Sequence, residues 1–239
     1  MGFELSAPSG KPDVSPSPPF PVEWSGMEIL LIAGPAAVTL DRARMLANHS
    51  TGKTGVLLAE TLRRHRFHLT LWYGTGATYP LPTGLHSSER FHTIHDLEKL
   101  LQKADFKSFG AILLPAALPD YDLSSAQDLR GNKLSREKWP GHLEGVRLEL
   151  KPAPRILNKI RALAPQAKIV GWKWEAEGGP SELHQSAREQ IEECRSDACI
   201  LNGPAYGEGY LFVPKTGEAV RCAHPTELGH ALASFLGPA

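Results

Sequence analysis

The sequence predicts a three-layer α/β sandwich around a mostly parallel sheet, finished by a small C-terminal hairpin. Short apolar runs alternate with longer stretches of helical periodicity through most of the 239 residues. The runs are continuously apolar, as strands buried on both faces must be. Most of them end in glycine, proline or alanine, the residues of tight turns.

Taken in order, residues 1–26 read as a proline-rich flexible arm. Pro12, Pro16, Pro18, Pro19 and Pro21 stand among serines and glycines, a composition too poor in large apolar side chains to form a core. A single ordered domain is expected over residues 27–239. Glu28 to Ala33 is its first strand, closed by Gly34-Pro35. Thr54 to Arg66 is helical, with apolar Val56, Leu57, Ala59 and Leu62 and a basic end that complements the helix dipole. Phe67 to Tyr73 is the next strand, stopped by Gly74-Thr75-Gly76. His92 to Gln102 is a short helix with Leu97, Leu100 and Leu101 on one side, and Ala111 to Leu114 a third strand.

Residues 120–142 change character. They are polar, hold Gly131, Asn132, Lys133, Arg136 and Lys138 without periodicity, and are expected to be an exposed, mobile loop. Arg147 to Leu150 alternates as a strand with one wet face. Helices follow at Arg155 to Leu163 and Ser181 to Arg195, and strands at Lys168 to Trp172 and Ala198 to Leu201. Gly209 to Pro214 and Glu218 to Cys222 form a hairpin, and Thr226 to Leu236 is the closing helix. This alternation is Rossmann-like. By analogy with such folds it locates a ligand at the strand ends, where Gly34, Gly74, Ala116, Trp172 and Asn202 lie.

Composition narrows the function. The 26 basic and 26 acidic side chains cancel, so no long-range field favours nucleic acid or an acidic membrane as partner. Cys194, Cys199 and Cys222 are too few for a disulfide framework, and their spacing does not suggest zinc, so buried thiols are expected. Apolar runs stop well short of the ~20 residues of a membrane span. The first residues lack the basic and apolar segments of a secretory signal, and a reducing cytoplasm is the expected compartment.

The richest stretch is Asn48-His49-Ser50-Thr51-Gly52-Lys53-Thr54-Gly55. Gly52-Lys53-Thr54 looks like the end of a P-loop, but a P-loop needs a glycine five residues before its Gly-Lys pair. Position 47 is Ala47, and the nearest upstream glycine is Gly34. The stretch instead offers an amide, hydroxyls, a lysine and two glycines at a helix N-terminus, good anchorage for an anion. Read alone, Asn48 is as well explained as a helix cap. Likewise Lys53 suits a solvated face, Asp120 an Asx turn and Trp172 the core.

Several segments, in order, resemble phosphopantothenoylcysteine synthetase, the ligase half of the coenzyme A biosynthesis flavoprotein. Leu40 to Gly55 resembles the family's Asp-Pro-Val-Arg segment and Asn-x-Ser-Ser-Gly-Lys-x-Gly signature. Ala116-Ala117-Leu118-Pro119-Asp120-Tyr121 is similar to Ala-Ala-Val-Ala-Asp-Tyr. Lys133-Leu134-Ser135-Arg136 matches a Lys-x-Lys-Lys element, and Val170 to Glu175 matches Val-Gly-Phe-x-x-Glu. Asp197 to Asn202 resembles Asp-x-Ile-x-x-Asn.

The resemblance implies condensation of 4'-phosphopantothenate with cysteine through an acyl-nucleotide, using CTP or ATP with Mg²⁺, in a homodimer. It assigns Asn48 to the acyl-nucleotide and Lys133 to the transferring phosphoryl group. Arg44, Ser50, Thr51, Gly52, Lys53 and Gly55 become substrate or phosphate contacts. Gly34, Ala116, Ala117, Asp120, Trp172, Glu175 and Asn202 become the nucleotide site. No metal ligands follow from it. The flavin-binding decarboxylase half has no counterpart here, so a partner decarboxylase is expected as a separate chain.

Three departures accompany it. The family's Lys-Asn-Pro-Asp aligns with the Lys151-Pro152-Ala153-Pro154 region and loses its aspartate. Its helical triphosphate lysines fall on Gln190 and Cys194, with only Arg188 and Arg195 nearby. The basic loop keeps Lys133, substitutes Arg136 and lacks the lysine between them. Phosphate-directed cations are therefore fewer.

Overall fold

The computed structural model describes residues 26–237. Of the expected arm over residues 1–26, only Gly26 falls within them. The eight-stranded main sheet has the order β12-β11-β10-β9-β6-β1-β4-β5. Its parallel part comprises β1 (Glu28–Ala33), β4 (His68–Gly74), β5 (Ser87–Phe91), β6 (Phe109–Leu113), β9 (Lys168–Trp174) and β10 (Ala198–Gly203). Strands β11 (Gly207–Pro214) and β12 (Val220–Cys222) complete it antiparallel, which is the expected hairpin.

Both faces of the sheet are covered. Ile29, Leu31 and Ala33 of β1 belong to one core, with α1 (Lys53–Arg64) and α5 (Pro225–Leu236) packed on it. The alternate residues Leu30 and Ile32 belong to the opposite core, under α2 (Ile94–Lys103) and α3 (Ile156–Leu163). Helix α4 (Pro180–Cys194) extends that second layer over β10 and β11 through Leu183, Ala187 and Ile191. Alternation between two cores is why the run is apolar at every position rather than every second one. The chain winds from β1 outward to β4 on one side and to β6 on the other. This makes the β1–β6 boundary the switch point where such folds take ligands.

Part of the 120–142 segment departs from expectation. Instead of an irregular loop, Tyr121–Asp128 is strand β7, antiparallel to β8 (Val146–Pro152) in a separate two-stranded ribbon. A register shift between Leu123 and Ser125 breaks the period-2 pattern, so Leu123 and Ala126 are the buried pair. They pack with Val38, Leu40 and Trp139, giving the ribbon its own small core. Two three-residue strands, β2 (Ala37–Thr39) and β3 (Met45–Ala47), pair beneath it.

Candidate active site

The site begins with two glycines whose absence of a side chain is a packing requirement. Gly52, the N-cap of α1, holds φ +78°, and a Cβ there would lie 2.2 Å from the Tyr73 hydroxyl. A Cβ on Gly55 would lie 2.3 Å from the Cβ of Ala33, so the close approach of helix α1 to strand β1 at this point requires a glycine. Tyr73 secures the turn from below: its hydroxyl donates to the Tyr79 carbonyl at 3.0 Å, and the Tyr79 N–H donates to the Thr51 carbonyl at 3.0 Å. Burial raises the Tyr73 pKa and keeps the phenol neutral.

The turn is arranged to donate. Ser50 Oγ accepts the Gly52 N–H at 3.4 Å and Thr51 Oγ1 accepts the Lys53 N–H at 3.3 Å. Each hydroxyl proton is thereby left for a further acceptor. Helix α1 has no side-chain cap and no acidic residue in its first turn, so its positive end is uncompensated. Asn48 is not the cap. Its Nδ2 reaches instead to the Leu118 carbonyl at 2.9 Å.

That bond belongs to a seam at the switch point. The Ala117 N–H donates to the Gly34 carbonyl and the Ala36 N–H to the Ala117 carbonyl, both at 3.1 Å. Gly34 (φ +81°) turns tightly under Gly74. Gly34 and Ala117, next to Ala116, are thus joined by backbone bonds, and Asn48 reaches the same loop through its side chain at Leu118. Asp120 follows, exposed; its backbone carbonyl accepts from the Ala153 N–H at 2.9 Å. No Asx-turn bond holds its carboxylate among the described residues.

Beside α1 a cleft of about 400 Å³ opens at the ends of β10 and β11. Lys53, Thr54, Asn202 and Tyr210 supply its polar groups, with Gly203, Gly207 and Gly209 leaving backbone exposed. Lys53 and Asn202, far apart in sequence, therefore face one space. Glu175 braces its rim: its N–H donates to the Asn202 carbonyl at 2.9 Å, and its Oε1 accepts from Ser186 at 2.6 Å. Thr54 and Tyr210 are missed by motif reading. The available sequence signal is the cluster of Gly203, Gly207 and Gly209 directly after a strand.

Other expected residues lie elsewhere. Trp172 packs against the α1–α5 core, half-buried, and its indole N–H has no acceptor among the described residues. Arg44 and Lys133 belong to the ribbon side. Arg44 is ion-paired with buried Asp41 and stacks on Trp139, with its guanidinium carbon 5.9 Å from the ring centroid. Burial disfavours the Asp41 carboxylate. The N–H groups of Trp139, Ala43 and Arg44 and the Arg44 charge outweigh it, and its pKa falls to about 2. Lys133 is exposed, in a backbone bridge to Gln127.

The α4 positions point inward. Gln190 donates to the Trp172 carbonyl at 3.1 Å and accepts from the Cys199 thiol at 2.7 Å. Cys194 donates to Asn158 Oδ1 at 3.0 Å. Arg188 donates to the Pro214 and Lys215 carbonyls at 2.9 and 2.8 Å, bracing the β11–β12 turn. All three cysteines are free and buried as expected, and burial pushes the Cys199 thiol up to about 12.

Fold and site define a class: a Rossmann-like α/β domain with a glycine-bounded turn and an open cleft beside it at the ends of β10 and β11. Residues 24–219 match the family described as DNA/pantothenate metabolism flavoprotein C-terminal domain, and the chain belongs to it. The coenzyme A biosynthesis bifunctional protein CoaBC of Thermococcus kodakarensis is 27% identical over 183 residues, 76% of this chain and 42% of that protein. The protein of the same name from Methanocaldococcus jannaschii is 27% identical over 193 residues, 79% of this chain and 44% of that one. The chain thus spans less than half the length of these curated relatives. In structure it resembles the DNA/pantothenate metabolism flavoprotein from Streptococcus pneumoniae, with a TM-score of 0.78 and 21% identity. That match covers 88% of this chain and 98% of the other.

Proposed function

We propose that this chain is a phosphopantothenate–cysteine ligase of coenzyme A biosynthesis. The observation that carries the reading is the Asn48 seam: a signature asparagine drawn onto the Ala117–Leu118 loop, beside a turn with surplus hydrogen-bond donors. In the first half-reaction the 4'-phosphopantothenate carboxylate attacks the α-phosphorus of CTP or ATP, releasing pyrophosphate and forming an acyl-nucleotide. The cysteine amine then attacks the acyl carbon, and the nucleoside monophosphate leaves.

Ser50, Thr51, Gly52, Lys53 and Gly55 form the phosphate-binding turn, and Asn48 steadies the acyl-nucleotide with an uncharged donor. Lys133 neutralises charge developing on the transferring phosphoryl group, a contribution often dominant in such chemistry. Gly34, Ala116, Ala117, Asp120, Glu175 and Asn202 shape the nucleotide site, with Trp172 packed behind it. Asp41 aims Arg44, and the exposed remainder of that guanidinium meets a substrate anion. Among the described residues no cluster of three His, Cys, Asp or Glu side chains is placed to hold a metal. Mg²⁺ enters with the nucleotide phosphates as part of the substrate. The working unit is a cytoplasmic homodimer. No helix among the described residues is long and apolar enough to cross a membrane.

A second reading is a module that binds nucleotide or phosphopantothenate without turnover. The inward-packed Gln190 and Cys194, and an Arg188 committed to carbonyls, favour it. One assay separates the two: pyrophosphate release with CTP or ATP, Mg²⁺, cysteine and 4'-phosphopantothenate. Release that needs both organic substrates supports the ligase. Folded protein that binds nucleotide and releases none sinks it in favour of the module.

A further inference from the structure

Thr54 and Tyr210 both line the cleft and are hydrogen-bonded to each other, their hydroxyl oxygens 2.8 Å apart. Two hydroxyl protons meet in this pair and a single hydrogen bond uses one of them. A phenol is the stronger acid and the better donor, so Tyr210 donates to Thr54 Oγ1. The Thr54 proton is left to point away from Tyr210, and no acceptor among the described residues takes it.

The surroundings say what would. Lys53 and Asn202 line the same space, and neither the ammonium nor the carboxamide has a hydrogen-bond partner among the described residues. No carboxylate lines the cleft. Glycines border it, and Gly209 (φ +90°) is sterically obligatory, since a Cβ there would lie 2.5 Å from the Cys222 carbonyl oxygen. The set is three converging donors with one positive charge, open to backbone approach. Gln190 and Cys194, where the resemblance places triphosphate lysines, are spent on internal contacts. The cleft, by contrast, keeps its polar groups open to a ligand.

The geometry points to Thr54 as a phosphate-binding residue of the cleft, held in its donating orientation by Tyr210 as a positioning residue. The inference rests on the nucleotide-dependent reading above and deepens it. The ligand group is a phosphate of the nucleotide, not its base. Tyr210 is itself fixed, since β11 pairs it with Cys222 and the Tyr206 hydroxyl donates to its carbonyl at 3.3 Å.

Calorimetry with CTP, ATP and inorganic tripolyphosphate tests it, on chains whose melting is checked first. Thr54→Val is expected to weaken tripolyphosphate and nucleotide alike, roughly tenfold, as for loss of a hydrogen bond to a charged oxygen. Thr54→Ser keeps the wild-type affinity. Tyr210→Phe weakens binding several-fold on its own and adds nothing in the Thr54→Val background, because it acts through that hydroxyl. In an active preparation both variants raise the nucleotide KM more than they lower kcat. A Thr54→Val chain that binds all three probes like wild type overturns the inference. So does a Tyr210→Phe effect undiminished in the Thr54→Val background, or a wild type that binds none of the probes. Wild-type binding with these losses but no pyrophosphate release preserves the inference and removes only the ligase reading.

Discussion

The Asn48 carboxamide donates to the Leu118 carbonyl at 2.9 Å, joining residues separated by 70 positions. The bond joins the turn before α1 to the loop after β6 across the switch point. Asn48→Asp replaces the donor with an acceptor against a carbonyl. Turnover is expected to fall by about 100-fold, on the scale of losing one preorganised donor. The melting temperature should hardly move, because the residue is exposed. Pyrophosphate release and a thermal melt on the same preparation check both halves. A stable variant with wild-type turnover removes Asn48 from the chemistry.

Gly55 predicts a stability change with a built-in rescue. Its missing side chain leaves room for the Ala33 methyl, which an added Cβ would overlap at 2.3 Å. Gly55→Ala should destabilise the chain by about 1–3 kcal/mol, the usual cost of overpacking a core. Adding Ala33→Gly should recover most of the loss, a coupling that urea unfolding of the two single variants and the pair will read. Additive losses would mean that α1 and β1 do not meet as described.

These contacts mark what is legible in the sequence. Strand β1 is legible because both its faces are buried, which turns topology into composition. Strand β7 is not: its bulge between Leu123 and Ser125 puts the buried pair three residues apart, a spacing that matches neither strand nor straightforward loop. Edge strand β5 is polar almost throughout, with only Phe91 buried, so nothing in Ser87–Phe91 announces a strand. At the site, the glycines and Asn48 carry their own signal because only those residue types suit the turn. Their partners do not. A hydroxyl at Thr54 or Tyr210 acquires meaning only when folding sets the two 2.8 Å apart. Arg44 reads as a free phosphate arm until Asp41, three residues earlier, takes part of its guanidinium.

The ribbon that carries Lys133 is tied to the body by a pH-sensitive latch. His95 of α2 bridges Asp122 of β7 at 2.8 Å and Glu98 at 3.1 Å, and Lys159 of α3 also holds Glu98. The hydrogen bond to Asp122, then that to Glu98, raises the His95 pKa above its ordinary 6.5. Lys159 chiefly lowers Glu98 from 4.5. Asp122 is raised by burial but brought below 3.8 on balance by His95 and the Leu123 N–H, with Arg136 adding to it. A raised histidine contributes fully below about pH 6.5 and loses its contribution as pH climbs through the folded value. The carboxylates contribute above their ordinary values and fail as pH falls through their depressed ones. His95→Gln should therefore lower the melting temperature most below about pH 6.5, with the gap to wild type closing as pH climbs through the raised folded value. A gap of constant size from acid to alkaline pH would show that His95 acts by packing alone.

Lys133 stands on that ribbon with its ammonium unpaired among the described residues, and its role separates ground-state from transition-state binding. Interactions formed equally with substrate and transition state raise affinity without speeding the chemical step. The proposed task of Lys133 is charge that appears only as the phosphoryl group transfers. Lys133→Gln should then lower kcat by about 100-fold, within the range for a missing electrostatic stabiliser. Nucleotide Kd by calorimetry should stay within about twofold of wild type, because the ground-state phosphates already have Lys53 and the α1 turn. The melting temperature should not change, since the side chain is exposed and touches no core residue. An increase in Kd matching the loss of turnover would instead make Lys133 an ordinary phosphate contact. Unchanged kcat would remove Lys133 from the chemistry and shift the balance toward the binding module.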